Sequence, residues 1–223
     1  MSASASGIDW PARRREMVER QLEARGIRDP RVLEAMRNIP RELFVPPENR
    51  HLSCEDEPLS IGYGQTISQP YMTALMVECL ELKGTETVLE VGAGCGYHAA
   101  VLGALAARVI AVEIIPELAE MAKANLRRTG LDGNVLVFCG DASQGWPEYA
   151  PYDAISVAAA APEAPEALLA QLKDPGIMVV PVGSPWEQEL QVVTKSQGQI
   201  KVRPVTGCRF VPLRGKGGWE SRY

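Results

Sequence analysis

The chain has 223 residues, 46% hydrophobic and 23% charged, with a formal net charge of -5. That is ordinary globular composition, enough for one α/β domain with small additions, and the acidic balance argues against a bulk nucleic-acid-binding role. No apolar run approaches a membrane span, so neither nucleic acid nor membrane is expected as a partner.

Met1 to Gly7 is rich in Ser and Ala and lacks the apolar stretch of a secretory signal. Residues 1–12 are therefore expected to be disordered. Arg13 to Arg25 places Met17, Val18 and Leu22 at helical spacing, and Gly26 stops the run. Asp29 caps a second helix over Arg31–Asn38, with Pro30 at its first position. Glu55 to Pro70 reads as a polar loop, and loops of that length are uncommon unless they bind something. Ser68 within it has two readings. It is a site residue, or it caps a helix from Tyr71 to about Leu82.

Val88 to Val91 is an apolar run that ends at Gly92-Ala93-Gly94-Cys95-Gly96, and the alanine-rich stretch Ala99–Ala107 follows. Strand, tight loop and helix in that order open a βαβ unit. The glycine spacing is tighter than the dinucleotide fingerprint G-x-G-x-x-G. Glu90 stands at the mouth of the loop. A carboxylate there repels a pyrophosphate and favours a cation, by roughly 1 kcal/mol or more at short range in a partly buried cleft. S-adenosylmethionine carries an ammonium and a sulfonium and no phosphate, so the pattern favours it over NAD.

Arg108–Glu113 reads as the next strand. Glu113 lies about 20 residues past the first glycine, where a ribose-binding acid is expected. Its other reading is a helix-start residue before Pro116. A helix over Leu118–Arg128, closed by Gly130, leads to a third strand over Val135–Asp141. Asp141 binds an adenine amino group or caps a turn. Gly145-Trp146-Pro147 is a turn. Tyr152–Ala158 and Gly176–Gly183 are the fourth and fifth strands, with a helix over Pro162–Leu172 between them. This alternation predicts a parallel, doubly wound sheet that binds ligands beyond the carboxyl ends of its strands. Glu90, Glu113 and Asp141 all fall at such ends, which predicts one shared site. Glu189–Lys195 and Ile200–Val205 flank Ser196–Gln199, a hairpin signal. Cys208–Leu213 reads as a further strand, and Arg214–Gly218 as a flexible basic end.

Cys54, Cys79, Cys95, Cys139 and Cys208 are odd in number, widely spaced and free of C-x-x-C pairs. That fits reduced thiols in the cytoplasm. His51 and His98 are the only histidines and stand in contexts that suggest no role, so no metal site is expected.

Several segments resemble the protein-L-isoaspartate O-methyltransferase family. They are Gly64 to Tyr71, Val88 to Tyr97, Gly145-Trp146-Pro147, Ala150 to Ile155, Ala159-Ala160-Ala161-Pro162 and Arg209 to Leu213. Thr66-Ile67-Ser68 and Phe210-Val211-Pro212-Leu213 are the narrowest markers, and the resemblance runs from about Met17 to Leu213. It implies a class I S-adenosylmethionine-dependent methyltransferase fold, Rossmann-like and doubly wound. N-terminal helices and an antiparallel C-terminal strand pair flank the sheet, whose last two strands are exchanged relative to other class I enzymes. The implied division of the chain is one methyltransferase domain over 13–223, with helices and a substrate loop over 13–83, a cofactor-binding core over 84–183 and terminal strands over 184–223.

The resemblance implies methyl transfer from S-adenosylmethionine to the free carboxylate of L-isoaspartyl residues in damaged proteins and peptides, with D-aspartyl residues left open. Carried over, Ser68 is the active-site residue, and Gln65, Thr66, Ile67 and Tyr71 line the cofactor and substrate cleft. Glu90, Gly92, Gly94 and Gly96 form the loop under the methionine part, and Tyr97 is a further cofactor-binding residue. Glu113 holds the ribose hydroxyls, and Asp141 with Ala142 faces adenine. The protein is expected to be a cytoplasmic monomer. Ala142, Ala158 and Ile114 depart from the family's usual glycine, threonine and arginine. The alternatives are a small-molecule O- or N-methyltransferase and a non-catalytic binder of the cofactor.

Overall fold

In a computed structural model, which describes residues 7–219, the chain builds on a seven-stranded sheet. A small hairpin precedes it: β1 (Leu59–Gly62) and β2 (Gln65–Ile67). The main sheet contains β3 (Thr87–Val91), β4 (Arg108–Glu113), β5 (Val135–Cys139), β6 (Tyr152–Val157), β7 (Leu172–Gly183), β8 (Gln188–Ser196) and β9 (Gln199–Cys208). Its spatial order is β5-β4-β3-β6-β7-β8-β9. The first five strands are parallel, and β8 and β9 each pair antiparallel with the preceding strand. The last two strands thus follow chain order across the sheet, the arrangement that the resemblance implies.

The helices are α1 (Trp10–Met17), α2 (Pro30–Asn38), α3 (Pro70–Cys79), α4 (Tyr97–Gly103), α5 (Pro116–Thr129) and α6 (Glu166–Gln171). They explain why β3, β4 and β6 are almost continuously apolar. A central parallel strand is covered on both faces and has no solvent side to alternate toward. Val88, Leu89, Val109, Ile110, Ala111, Ile155 and Val157 are all fully buried. From β3 the sheet grows one way through β4 and β5, then returns to β6 on β3's other side. That reversal opens a crevice at the carboxyl ends of β3 and β6, where α/β sheets bind ligands.

Four expectations need correction. The first helix begins at Trp10, because the Asp9 carboxylate accepts the Ala12 amide at 3.0 Å and Pro11 sits in the first turn. Residues 10–12 are therefore helical, and 1–6 lie outside the described residues. The run continues as a π turn over Val18–Leu22 and a 3₁₀ turn to Arg25, then stops at left-handed Gly26. The 55–70 loop folds its second half into the β1–β2 hairpin, with Leu59, Ile61 and Ile67 turned inward. Only six residues of the 162–172 segment are helical, since Pro165 starts the helix and Ala161 bridges to Val182 of β7. Residues 209–213 form no strand. Pro212 has no amide to give, and the Phe210 amide donates to the Gln188 side chain at 2.8 Å.

The basic end also departs from expectation, because it packs back on the protein. Lys216 and Gly217 donate their amides to Asp141 and Ser143, and the Trp219 indole donates to the Ala160 carbonyl. The β8–β9 hairpin turns at Gln197 and Gly198, with φ of 53° and 74°. That left-handed pair matches the strand twist.

Candidate active site

The site starts from the bend between β3 and α4. Gly92, Gly94 and Gly96 have φ of 92°, 54° and 86°, conformations that glycine adopts without strain. At Gly96 a Cβ would stand 3.1 Å from the Ala122 backbone of α5, so the third glycine also permits close helix packing. Glu113, at the end of β4, holds the bend in place. One carboxylate oxygen accepts the Gly94 amide at 2.8 Å, and the other accepts the Ile115 amide at 2.9 Å. The side chain therefore holds the residue that precedes α5, as the helix-start reading expects, and also lines the cavity above the glycines.

Glu90 does not itself line that cavity; it precedes Val91 and Gly92, which do. It is fully buried, and among the described residues neither carboxylate oxygen has a hydrogen-bond partner. Burial, and secondarily the nearby Glu113, push its carboxyl well above the usual carboxylate range. A dry, unpartnered carboxylate beside a second acid is costly unless a cation arrives. A cationic methionyl group suits this pair, and a pyrophosphate does not.

The cavity above the bend is lined by Gln65, Thr66, Gly92, Gly94, Glu113 and Ala142, among others. Its volume is about 60 Å³. Gln65 and Thr66 of β2 close one side of it, and residues 211–214 also line it. Ile114 and Ala158 line the same cavity. Asp141 lies next to it with its acceptors engaged. Ser143 donates its amide and hydroxyl to one oxygen, and the Lys216 amide donates to the other. These bonds hold its carboxyl below the usual range against the opposing effect of burial, the largest single influence. Asp141 thus caps its own turn here, and no local pattern signals that the tail reaches it.

A second cavity adjoins the first, sharing Thr66, Gly92, Gly94 and Ala158 with it. Ile67, Ser68, Cys95, Tyr97 and His98 complete much of its wall. The cap reading of Ser68 fails, because Gln69 is the N-cap of α3 and no side chain caps that helix. Instead the Ser68 carbonyl accepts from the Arg41 guanidinium at 2.7 Å. Tyr71 lies outside both cavities. It borders a wider groove of about 750 Å³ with Arg25, Thr66, Trp186, Arg209 and Phe210. The Arg25 guanidinium stacks over the Tyr71 ring, 3.6 Å from its centroid.

His98 was missed. It lines the inner cavity with its Nε2 3.0 Å from the Ser156 hydroxyl, and burial pushes it down to about 4, so it is neutral near pH 7. The available signal was its position directly after the glycine bend, in the first turn of α4. Thr73 lines the same cavity and Ser156 adjoins it through His98; both are ordinary helix and strand residues in sequence.

The strand order, the glycine bend and the acid pair define a class I S-adenosylmethionine-dependent methyltransferase. The protein-L-isoaspartate(D-aspartate) O-methyltransferase family model matches residues 12–218. A protein-L-isoaspartate O-methyltransferase of Methanoculleus marisnigri is 51% identical over 93% of this chain and 94% of its own. One from Hyperthermus butylicus is 52% identical over 93% of this chain and 91% of its own. Among solved structures, a protein-L-isoaspartate O-methyltransferase superposes with a TM-score of 0.79 at 32% identity, covering 91% of this chain and 66% of the solved one. A Plasmodium falciparum protein named for the same activity, in complex with S-adenosyl-L-homocysteine, gives a TM-score of 0.76 at 27% identity over 90% of this chain and 98% of its own. The chain belongs to the protein-L-isoaspartate(D-aspartate) O-methyltransferase family.

Proposed function

We infer that the chain is a protein repair enzyme that methylates the free carboxylate of isoaspartyl residues in damaged proteins and peptides. The observation that carries its mechanism is the pair of adjoining cavities. One is built on the acid-held glycine bend and the other on Ser68, and they share Thr66, Gly92, Gly94 and Ala158. S-adenosylmethionine, when bound, supplies an electrophilic methyl and keeps the electron pair of the broken carbon–sulfur bond. In this reading Glu90 faces the cationic methionyl part and Glu113 the ribose. Ala142 borders adenine, and Asp141 braces that wall.

The attacking group is the substrate's own carboxylate, ionised near pH 7, so no strong base is required. A neutral His98 is consistent with that. Ser68 donates its hydroxyl to the carboxylate and fixes one oxygen in line with the methyl. Rate comes from orientation and exclusion of water. The groove bordered by Tyr71 and Trp186 takes the flanking peptide. Residues 13–223 act as one unit, and we read the protein as a monomer of the cytoplasm with protein substrates and no nucleic-acid or membrane partner. The net charge of -5 supports this, and no described helix is long and apolar enough to cross a membrane.

The cofactor roles predict a proton balance. With its folded-state pKa raised, Glu90 carries a proton below that raised pKa. A bound cation lowers the pKa again, so binding releases a proton there, and affinity rises with pH across the window from the usual carboxylate range up to the raised value. Calorimetry of S-adenosylmethionine binding in buffers of different ionisation enthalpy measures the release. Glu90→Gln should abolish it and weaken binding about ten-fold. Equal release by both proteins would remove Glu90 from the cofactor's surroundings.

A further inference from the structure

Arg41 is fully buried. Its Nε donates to the Ser53 carbonyl at 2.8 Å, and one terminal nitrogen donates to the Ser68 carbonyl at 2.7 Å. The other terminal nitrogen has no hydrogen-bond partner among the described residues. Among the described residues no carboxylate lies within ion-pair distance of Arg41, and the adjacent Glu42 pairs with Arg14 at 2.6 Å. The groups around the guanidinium are the Tyr97 ring, 4.8 Å from its carbon, and the Cys54 and Cys95 thiols. Burial pushes Tyr97 up to about 12 and Cys95 up to about 11. All three are neutral at pH 7.

Two carbonyls need only donors, and a neutral amide would serve them without the cost of burying a charge. Arg41 lies directly behind Ser68, whose cavity Tyr97 and Cys95 also line. We propose that Arg41 is the standing countercharge of the substrate cavity, a positioning residue that fixes the Ser68 backbone and makes the cavity select an anionic group. Its field acts through dry protein, where screening by water is weak. It favours the carboxylate on arrival and loses its hold when that group becomes a neutral methyl ester, which speeds exchange of product for substrate.

This rests on the reading of the Ser68 cavity as the carboxylate site. The test compares binding of an isoaspartyl peptide with that of the same peptide amidated at its free carboxylate, both to the full chain saturated with S-adenosyl-L-homocysteine. The wild-type protein should prefer the acid about ten-fold or more. Arg41→Gln keeps a donor and removes the charge. It should bring the ratio to about one while leaving S-adenosyl-L-homocysteine affinity within about two-fold. Arg41→Lys keeps the charge and should restore most of the preference. A purely structural role would weaken acid and amide peptides alike, so an unchanged ratio in Arg41→Gln overturns the proposal. So does a wild-type protein that binds both peptides equally, a result that needs no variant to fold. Loss of the preference in a folded Arg41→Lys protein overturns it too. A wild-type protein that binds the acid peptide but never methylates it would instead count against the repair function.

Discussion

Ser68→Ala lowers kcat for an isoaspartyl peptide by about 10- to 100-fold, and S-adenosyl-L-homocysteine binds within about two-fold of its wild-type affinity. A hydrogen bond to a charged group contributes about 1.5–3 kcal/mol, and each 1.36 kcal/mol on the barrier is about ten-fold in rate. The hydroxyl does not cap α3, so its loss costs the helix nothing, and the Ser68 carbonyl keeps its bond to Arg41. The variant should therefore melt close to the wild type. Methyl transfer under saturating cofactor and peptide, together with calorimetry of the product, separates the two quantities. An unchanged kcat would take Ser68 out of the mechanism. A cofactor affinity that falls with the rate would place it in the wrong cavity.

Glu113→Ala weakens cofactor binding about 100-fold and lowers the melting temperature as well. Its carboxylate accepts the Gly94 and Ile115 amides, and removing it leaves two donors without partners at the glycine bend and before α5. An unsatisfied buried donor costs about 1–3 kcal/mol, and loss of the ribose contact proposed for Glu113 adds to the binding defect. Glu113→Gln retains one acceptor for an amide and should fall between the two proteins in both melting temperature and affinity. Calorimetric titration and thermal unfolding check both effects. A variant with full stability and full affinity would contradict the dual role.

The parallel core was legible because its signal is local and strong. β3, β4 and β6 are short apolar runs bounded by turns, and Gly96 and Gly130 sit where a helix starts and where one ends. Glu113 was legible from spacing alone, since strand end and glycine loop share one crevice in any sheet of this order. The β1–β2 hairpin was hidden because strands of four and three residues carry too little alternation to stand out from a loop. The tail was misread for a different reason. Arg214–Gly218 has the composition of a flexible end, and only the placement of Asp141, Ser143 and Ala160 gives its amides and Trp219 somewhere to bind. Arg41 and His98 escaped because burial is a tertiary property. In sequence one is a charge beside a proline and the other a polar residue after glycines. The residue types alone left Ser68 open between a site residue and a helix cap, and only the resemblance in Thr66-Ile67-Ser68 assigned it the active-site role.

The proposed function requires an anionic damaged side group to meet a cationic methyl donor beside Ser68. Transfer of tritiated methyl from S-adenosylmethionine to two peptides, identical except that one carries isoaspartate and the other aspartate, puts this to the test. Base-labile methyl ester should accumulate on the isoaspartyl peptide and stay at background on its twin. Equal labelling of both, or no labelling by a protein that demonstrably binds the cofactor, would contradict it.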